Sequence, residues 1–274
     1  MAHRPLHVAA IRLAGLTWGG GAVAAEPPAA SKAAHDVLDR FALAESLASC
    51  RAETQRNAKL YALRAHGIRL MRSAERSQSR SAQALDVVFA HLRSGLSQNK
   101  ALLAEVYLAE DAAMSLTELT VQEPVASQIR AAELMADQAD QACSKILAAT
   151  GAAATGNVQA SLVATLSQLQ FLSQRIARVY LAAPLTGTLD ASQQAVLQAD
   201  SAAFEKGLAA LRAPAATDPG LKEHLLFVDS QWIFYRTILA RPRGTLEGLD
   251  HIGRVSEHLF ELFTIELTRR RIRT

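Results

Sequence analysis

The residues able to do chemistry in this chain stand apart from one another. Its eight histidines include no HExxH pattern and no close metal-ligand pair, and His224, His251 and His258 read as surface or helix-boundary residues. Only Cys50 and Cys143 carry thiols, too few for a disulfide scaffold or a four-ligand zinc site. In an oxidising compartment the two can pair, and otherwise they read as buried thiols. Glu110 with Asp111, and Asp229, offer carboxylates, but no nucleophile or glycine-rich loop accompanies them, so they read as solvated helix faces. No catalytic group, metal or cofactor is expected, and the chain reads as a non-enzyme.

One helical segment holds the residues of interest. At about 100° per residue, Leu162, Leu166, Leu169, Leu172, Ser173, Ile176 and Tyr180 gather on one face, which reads as bundle core. The opposite face carries Ser167, Phe171, Gln174 and Arg178, with Arg175 and Gln168 towards one flank and Gln170 towards the other. This second face reads as turned outward. A phenylalanine among polar residues there suits a helix-to-helix contact, within the chain or between two chains. Gln170, Phe171, Gln174, Arg175 and Arg178 are therefore the candidate ligand or interface residues. Trp232, Phe234 and Tyr235 read mostly as core.

The elements that position this segment are helical. Hydrophobic residues make up 50% of the 274 positions but aromatics only 5%, and most of the apolar total is Ala and Leu, which form helices well and pack closely. The net charge of +3 is nearly balanced. Arg269, Arg270, Arg271 and Arg273 complement the dipole of a last helical turn, so no nucleic-acid partner is expected. Breaks at Pro184 to Asp190, Ala213 to Gly220 and Arg241 to Thr245 delimit four helices near 159–183, 190–212, 219–240 and 246–271. Asp190 with Gln193, and Asp218 before Pro219, are good helix starts.

The first half repeats the second. Ser49, Cys50 and Arg51 precede Ser173, Gln174 and Arg175 by 124 residues, and Ala132, Glu133 and Leu134 precede Ser256, Glu257 and His258 by the same interval. Softer breaks near Gly67 to Ser79, Gly95 and Gln122 to Pro124 suggest a longer first helix, with Gly151 to Asn157 joining the halves. The spacing predicts an all-α chain of tandem antiparallel four-helix bundles, over 35–150 and 158–272. Cys50 and Cys143 then fall on the first and fourth helices of the first unit, which are neighbours.

The N-terminus has the order of a secretory signal: Arg4 and Arg12, the apolar run Leu13 to Trp18, and small residues ending Ala24, Ala25 before Glu26. Cleavage is expected after Ala25, leaving a flexible leader over 26–34 and a soluble periplasmic protein. Retention as an uncleaved inner-membrane anchor is the alternative.

The segment from Ser167 to Leu181, with Leu172, Ser173, Gln174, Arg175, Ile176, Ala177 and Arg178 at its centre, resembles the first helix of the PilJ/NarX-type sensor domain. The recurrent pattern there is Gly-Arg-Gln-Arg-Met-Leu-Ser-Gln-Arg-Ile-Ala-Lys. Phe204 and Leu208, Gln231 to Arg236, and Ser256 to Leu259 agree in order with the later helices. The resemblance covers about 110 residues of the second half and, as a degenerate copy, the first. It implies a periplasmic four-helix sensor of the kind carried by membrane receptors, with a small anion or metabolite, a membrane receptor or a second copy as partner; no signalling helices are read in this chain, so its output is expected to come from another protein. In nitrate-sensing members the arginine before Met is the anion ligand; here that position is Gln170, and Ser46 in the first copy, so no charge is offered there.

Overall fold

A computed structural model describes residues 29–69, 72–151, 158–187, 190–240 and 245–272. Eight α-helices make up nearly all of them: α1 (Ala29–Ala65), α2 (Arg72–Gly95), α3 (Lys100–Val121), α4 (Ile129–Thr150), α5 (Val158–Thr186), α6 (Ala191–Ala215), α7 (Pro219–Leu239) and α8 (Leu246–Ile272). No strand occurs among the described residues, and the chain is all-α. The expected signal peptide at 1–25 lies outside the described residues. Residues 29–34, read from sequence as leader, are the first turns of α1.

Helix starts follow local chemistry. Asp190 and Gln193 form a reciprocal capping box at α6, and the Asp218 carboxylate accepts from the Leu221 amide of α7, whose first residue is Pro219. Asn99 caps α3 by accepting from the Leu102 amide. At the end of α4, Gly151 takes φ 59°, a left-handed conformation that closes a helix without a Cβ penalty. Pro184 and Pro214, expected to break the chain, instead sit inside the last turns of α5 and α6. A proline so near the end deletes one backbone bond and leaves the earlier turns intact.

Within each half, every helix packs on its neighbours in sequence and the first packs on the fourth. The two halves meet chiefly through α1 and α5, which form the central pair. These run parallel, because Arg51 meets Gln168 and Phe171, Lys59 meets Gln174, and His66 meets the Leu181 carbonyl, in the same order along both. The apolar core does not divide between the halves. One cluster joins Leu60, Tyr61, Leu116 and Ile129 of the first half to Leu169, Phe204, Trp232 and Phe263 of the second; a smaller one, with Leu47, Phe89, Cys50 and Cys143, fills the other end of the first half. Among the described residues no helix is long and apolar enough to cross a membrane.

Candidate functional site

The α5 face read as outward is buried. Phe171 is 1% exposed, Gln174 0%, Arg178 3% and Ser167 8%, because α1 lies along this face with α4 beside it. From Leu169 to Ala183 only Arg175 is more than slightly exposed. A helix buried all round must pair its polar side chains.

Phe171 is held between two guanidiniums. The Arg51 guanidinium lies 4.1 Å from its ring centroid and that of Arg175 5.8 Å away, contacts worth about 0.5–2 kcal/mol each when desolvated. Asp140 of α4 joins them, with the Arg51 Nε donating at 2.5 Å and an Arg175 nitrogen at 3.7 Å. Arg175 also pairs with Asp200 of α6 at 3.3 Å; burial pushes the Asp200 carboxyl upward, with Arg175 opposing. One turn on, Arg178 reaches the Asp137 carboxylate at 2.6 Å and the Glu133 carbonyl at 3.2 Å.

A second polar cluster lies deeper, between α1, α5 and α8. The Arg56 Nε donates to both oxygens of Glu257 at 3.0 and 3.2 Å, and its terminal nitrogen donates to one of them at 2.6 Å. Lys59 donates to Glu257 as well, to the Gln174 Oε1 at 2.7 Å and to the Ser256 hydroxyl at 3.2 Å. Burial lowers the Lys59 ammonium to about 8 even against the pull of Glu257. Burial alone would raise Glu257, but Lys59 and Arg56 outweigh it and hold the carboxyl at about 2. Close approach of α1 to α8 depends on Gly253, where an added Cβ would stand 2.7 Å from the Leu63 side chain.

The sequence-predicted residues divide accordingly. Phe171, Arg175 and Arg178 line the contact with α1 and α4, and Gln174 belongs to the Lys59 cluster. Gln170 stands apart: its amide donates to the Phe260 carbonyl at 3.3 Å and the Thr264 hydroxyl at 2.8 Å, both on α8. Arg56, Lys59 and Asp140 drew no reading from sequence, and Arg51 and Glu257 stood there only as markers of the repeat. The available signal was the run Thr54 to Asn57 with Lys59, polar side chains all round a helix otherwise fit for a core. Two further readings change. His224 is buried at 5% and its Nε2 has no partner among the described residues, while Phe234 is 45% exposed beside buried Trp232 and Tyr235.

Beside Phe171 a cavity of about 180 Å³ opens between α1, α4 and α5. Phe41, Leu147 and Val163 supply apolar wall; Glu45, Arg51, Ser167 and Gln168 supply the polar groups. Among the described residues no group of His, Cys, Asp or Glu has the arrangement of a metal site. No family model, curated protein or solved structure matches this chain.

Proposed function

We propose that this chain is a non-enzymatic binding module of the exported, periplasmic sensor type, whose working face is the junction of α1 and α5. The observation that carries this reading is the cavity beside Phe171. It is concave, mostly apolar, edged by a few convergent polar groups, and borders Phe171 on the helix face read from sequence as the ligand or interface face. Of the cavity wall, Arg51 of α1 is held by Asp140 and stacks on Phe171 of α5, so a ligand meets a preorganised wall. A small inorganic anion is the weaker choice of ligand. Gln170, at the position that carries the anion in nitrate-sensing relatives of the resemblance, turns its amide to α8.

The deeper cluster favours a second reading, a helical scaffold without a small-molecule ligand. Arg56 and Lys59 would suit an anion, but the chain's own Glu257 occupies them. A thermal-shift screen of anions, amino acids, amines and short acids on the protein separates the two. A ligand at a hundred times its Kd raises stability by about 2.7 kcal/mol. The binding reading expects at least one compound class to raise Tm and to lose its effect when the cavity is filled from its α5 wall, which Ala164 lines, by Ala164→Leu. A flat screen together with wild-type behaviour of Ala164→Leu supports the scaffold.

A further inference from the structure

We propose that the exposed face of α7 is a self-association surface, on which a second copy of this chain docks antiparallel about a two-fold axis at Ser230. The inference is independent of the binding reading above, since no residue of this face lines the cavity beside Phe171.

α7 has two apolar faces, and the bundle uses one. Leu221, Leu225, Val228, Trp232, Tyr235 and Ile238 are buried, and through them the helix packs chiefly on α6 and α8. On the other side Leu226, Phe227, Ile233 and Phe234 are between 45% and 64% exposed. No other helix leaves four large apolar side chains exposed among the described residues. At 100° per residue these four fall, with Ser230 at the middle, in one stripe about 120° wide. The surface they offer comes to roughly 450 Å², the size at which apolar patches mark interaction sites.

The spacing selects a second copy as the occupant. Leu226 and Phe227 stand four and three residues before Ser230, and Ile233 and Phe234 three and four after it. An antiparallel pair of α7 helices centred on Ser230 therefore sets Leu226 against Ile233 of the second copy, and Phe227 against Phe234 of the second copy. A partner of another sequence would have no use for that symmetry. An isologous contact sets each surface against itself, so a charge near the axis would meet its own image. The exposed positions from Leu226 to Phe234 carry no charge. Lys222, Glu223 and Arg236 lie towards the ends of α7, and Arg236 is already held by Glu205 of α6 at 2.9 Å; Asp229 is half-buried on the flank. Ser230 is small, and its hydroxyl turns back to the Phe227 carbonyl at 2.7 Å, so the helices can approach there without stranding a donor. The Phe234 ring is steadied by the edge of His251 on α8, with centroids 6.0 Å apart. Two copies would cover about 900 Å² on the four apolar side chains, and Glu223, Ser230 and Thr237 beside them bring the contact to about 1,200 Å², the lower end for a specific interface. A weak, micromolar dimer is the expected result.

Sedimentation equilibrium of the full chain between about 1 and 300 µM reads the association, and the average mass should rise towards that of two copies. Ser230→Arg sets two guanidiniums on the axis and should weaken the dimer at least about tenfold. Helical content should not change, because Ser230 is exposed. Phe227→Lys should weaken it by a similar factor. Phe227→Lys combined with Phe234→Glu should recover part of that loss, since the two-fold sets each new ammonium against a carboxylate of the second copy. A face that is merely adhesive would show no such rescue. If Ser230→Arg fails to fold, the unaltered chain and the Phe227 and Phe234 variants decide. A chain that stays monomeric at about 300 µM, a dimer indifferent to Ser230→Arg, or a loss with Phe227→Lys that Phe234→Glu does not relieve overturns the proposal.

Discussion

Arg51 and Arg175 close on one phenyl ring, that of Phe171, from 4.1 and 5.8 Å, and both reach Asp140. They stand 124 residues apart, the interval read in the sequence as a repeat, yet they are not level with each other. Arg51 lies beside Gln168 and Phe171, one to two helical turns before Arg175. That stagger sets a ring opposite Arg51 where level halves would set a second guanidinium. An α1–α5 contact with level halves would bring like charges together, so the slide relieves repulsion and lets one carboxylate serve two cations.

Phe171 should therefore behave as core. Phe171→Ala is expected to cost about 3–5 kcal/mol, the range for a buried aromatic. Phe171→Leu should cost less, about 1–2 kcal/mol, since volume is largely kept while both cation contacts go. Phe171→Glu, which on an outward face would leave the fold intact, should unfold or strongly destabilise the chain. Denaturant titration followed by circular dichroism measures all three, and a Phe171→Ala protein as stable as wild type would falsify the buried placement.

Sequence carries the local features of this fold and loses those that packing creates. The helices after Gly151 were legible, because Asp190, Asp218 and Pro219 act through their own backbone neighbours. The stripe of Leu162, Leu169 and Ile176 was too, since period alone marks it. The second face of α5 was legible only in part: Phe171 marked it for a helix contact, within the chain or between chains, while its polar neighbours read as turned outward. Its side chains are polar, and polar residues read as solvated unless their partners are known. Those partners, Arg51 and Lys59 on α1, Asp137 and Asp140 on α4 and Glu257 on α8, are brought in by tertiary packing, which a one-helix projection does not contain. Gln170, singled out by its place in the family pattern, makes its contacts within its own half, with Phe260 and Thr264 of α8.

The Lys59 cluster makes stability depend on pH in two windows. Glu257 titrates near 2 in the folded chain against about 4.3 unfolded. Its contribution is therefore complete above pH 4.3 and is lost as pH falls towards 2. Lys59 titrates near 8 when folded against about 10.4 unfolded. Between those values the unfolded chain binds more protons, so this group's contribution to stability rises with pH, by at most about 3 kcal/mol. Urea unfolding of wild type and Lys59→Met at pH 7.5 and 10 should show the difference shifting in favour of wild type at the higher pH. A constant difference would mean that Lys59 is not desolvated.

Gly253 offers a test of how tightly α1 meets α8. By propensity alone Gly253→Ala should stabilise the helix by about 1 kcal/mol. Its new methyl would stand 2.7 Å from a Leu63 side chain that is 3% exposed and has little room to move. Overpacking costs about 1–3 kcal/mol, so the net expectation is a loss of about 1 kcal/mol, seen as a lower midpoint in denaturant. A more stable Gly253→Ala would show that the α1–α8 contact is looser than described.

Cys50 of α1 and Cys143 of α4 hold their sulfurs 3.4 Å apart, both fully buried. The two are free thiols here, and the Cys143 thiol is pushed well up, first by its hydrogen bond to Cys50 and then by burial. Neither should react quickly with iodoacetamide at pH 7, because both sulfurs are shielded by packing and the raised Cys143 thiol supplies little thiolate, the nucleophile. Disulfide formation needs the sulfurs to approach to about 2.05 Å, a small side-chain shift between packed helices. With oxidised glutathione as acceptor, the two thiols should lose two protons and two electrons to form the bond while two reduced glutathiones leave. The reaction should be slow in buffer and fast in mild denaturant, where local opening admits the oxidant. Closing a loop of nearly a hundred residues removes unfolded-state entropy worth up to about 4.7 kcal/mol, so the oxidised protein should show a higher Tm than the reduced one. Mass spectrometry of the unreduced protein, with Cys143→Ser as control, reads the bond directly. Oxidation that gives only mixed disulfides with glutathione, or a bond that lowers Tm, would mean that α1 and α4 do not hold these two sulfurs in register.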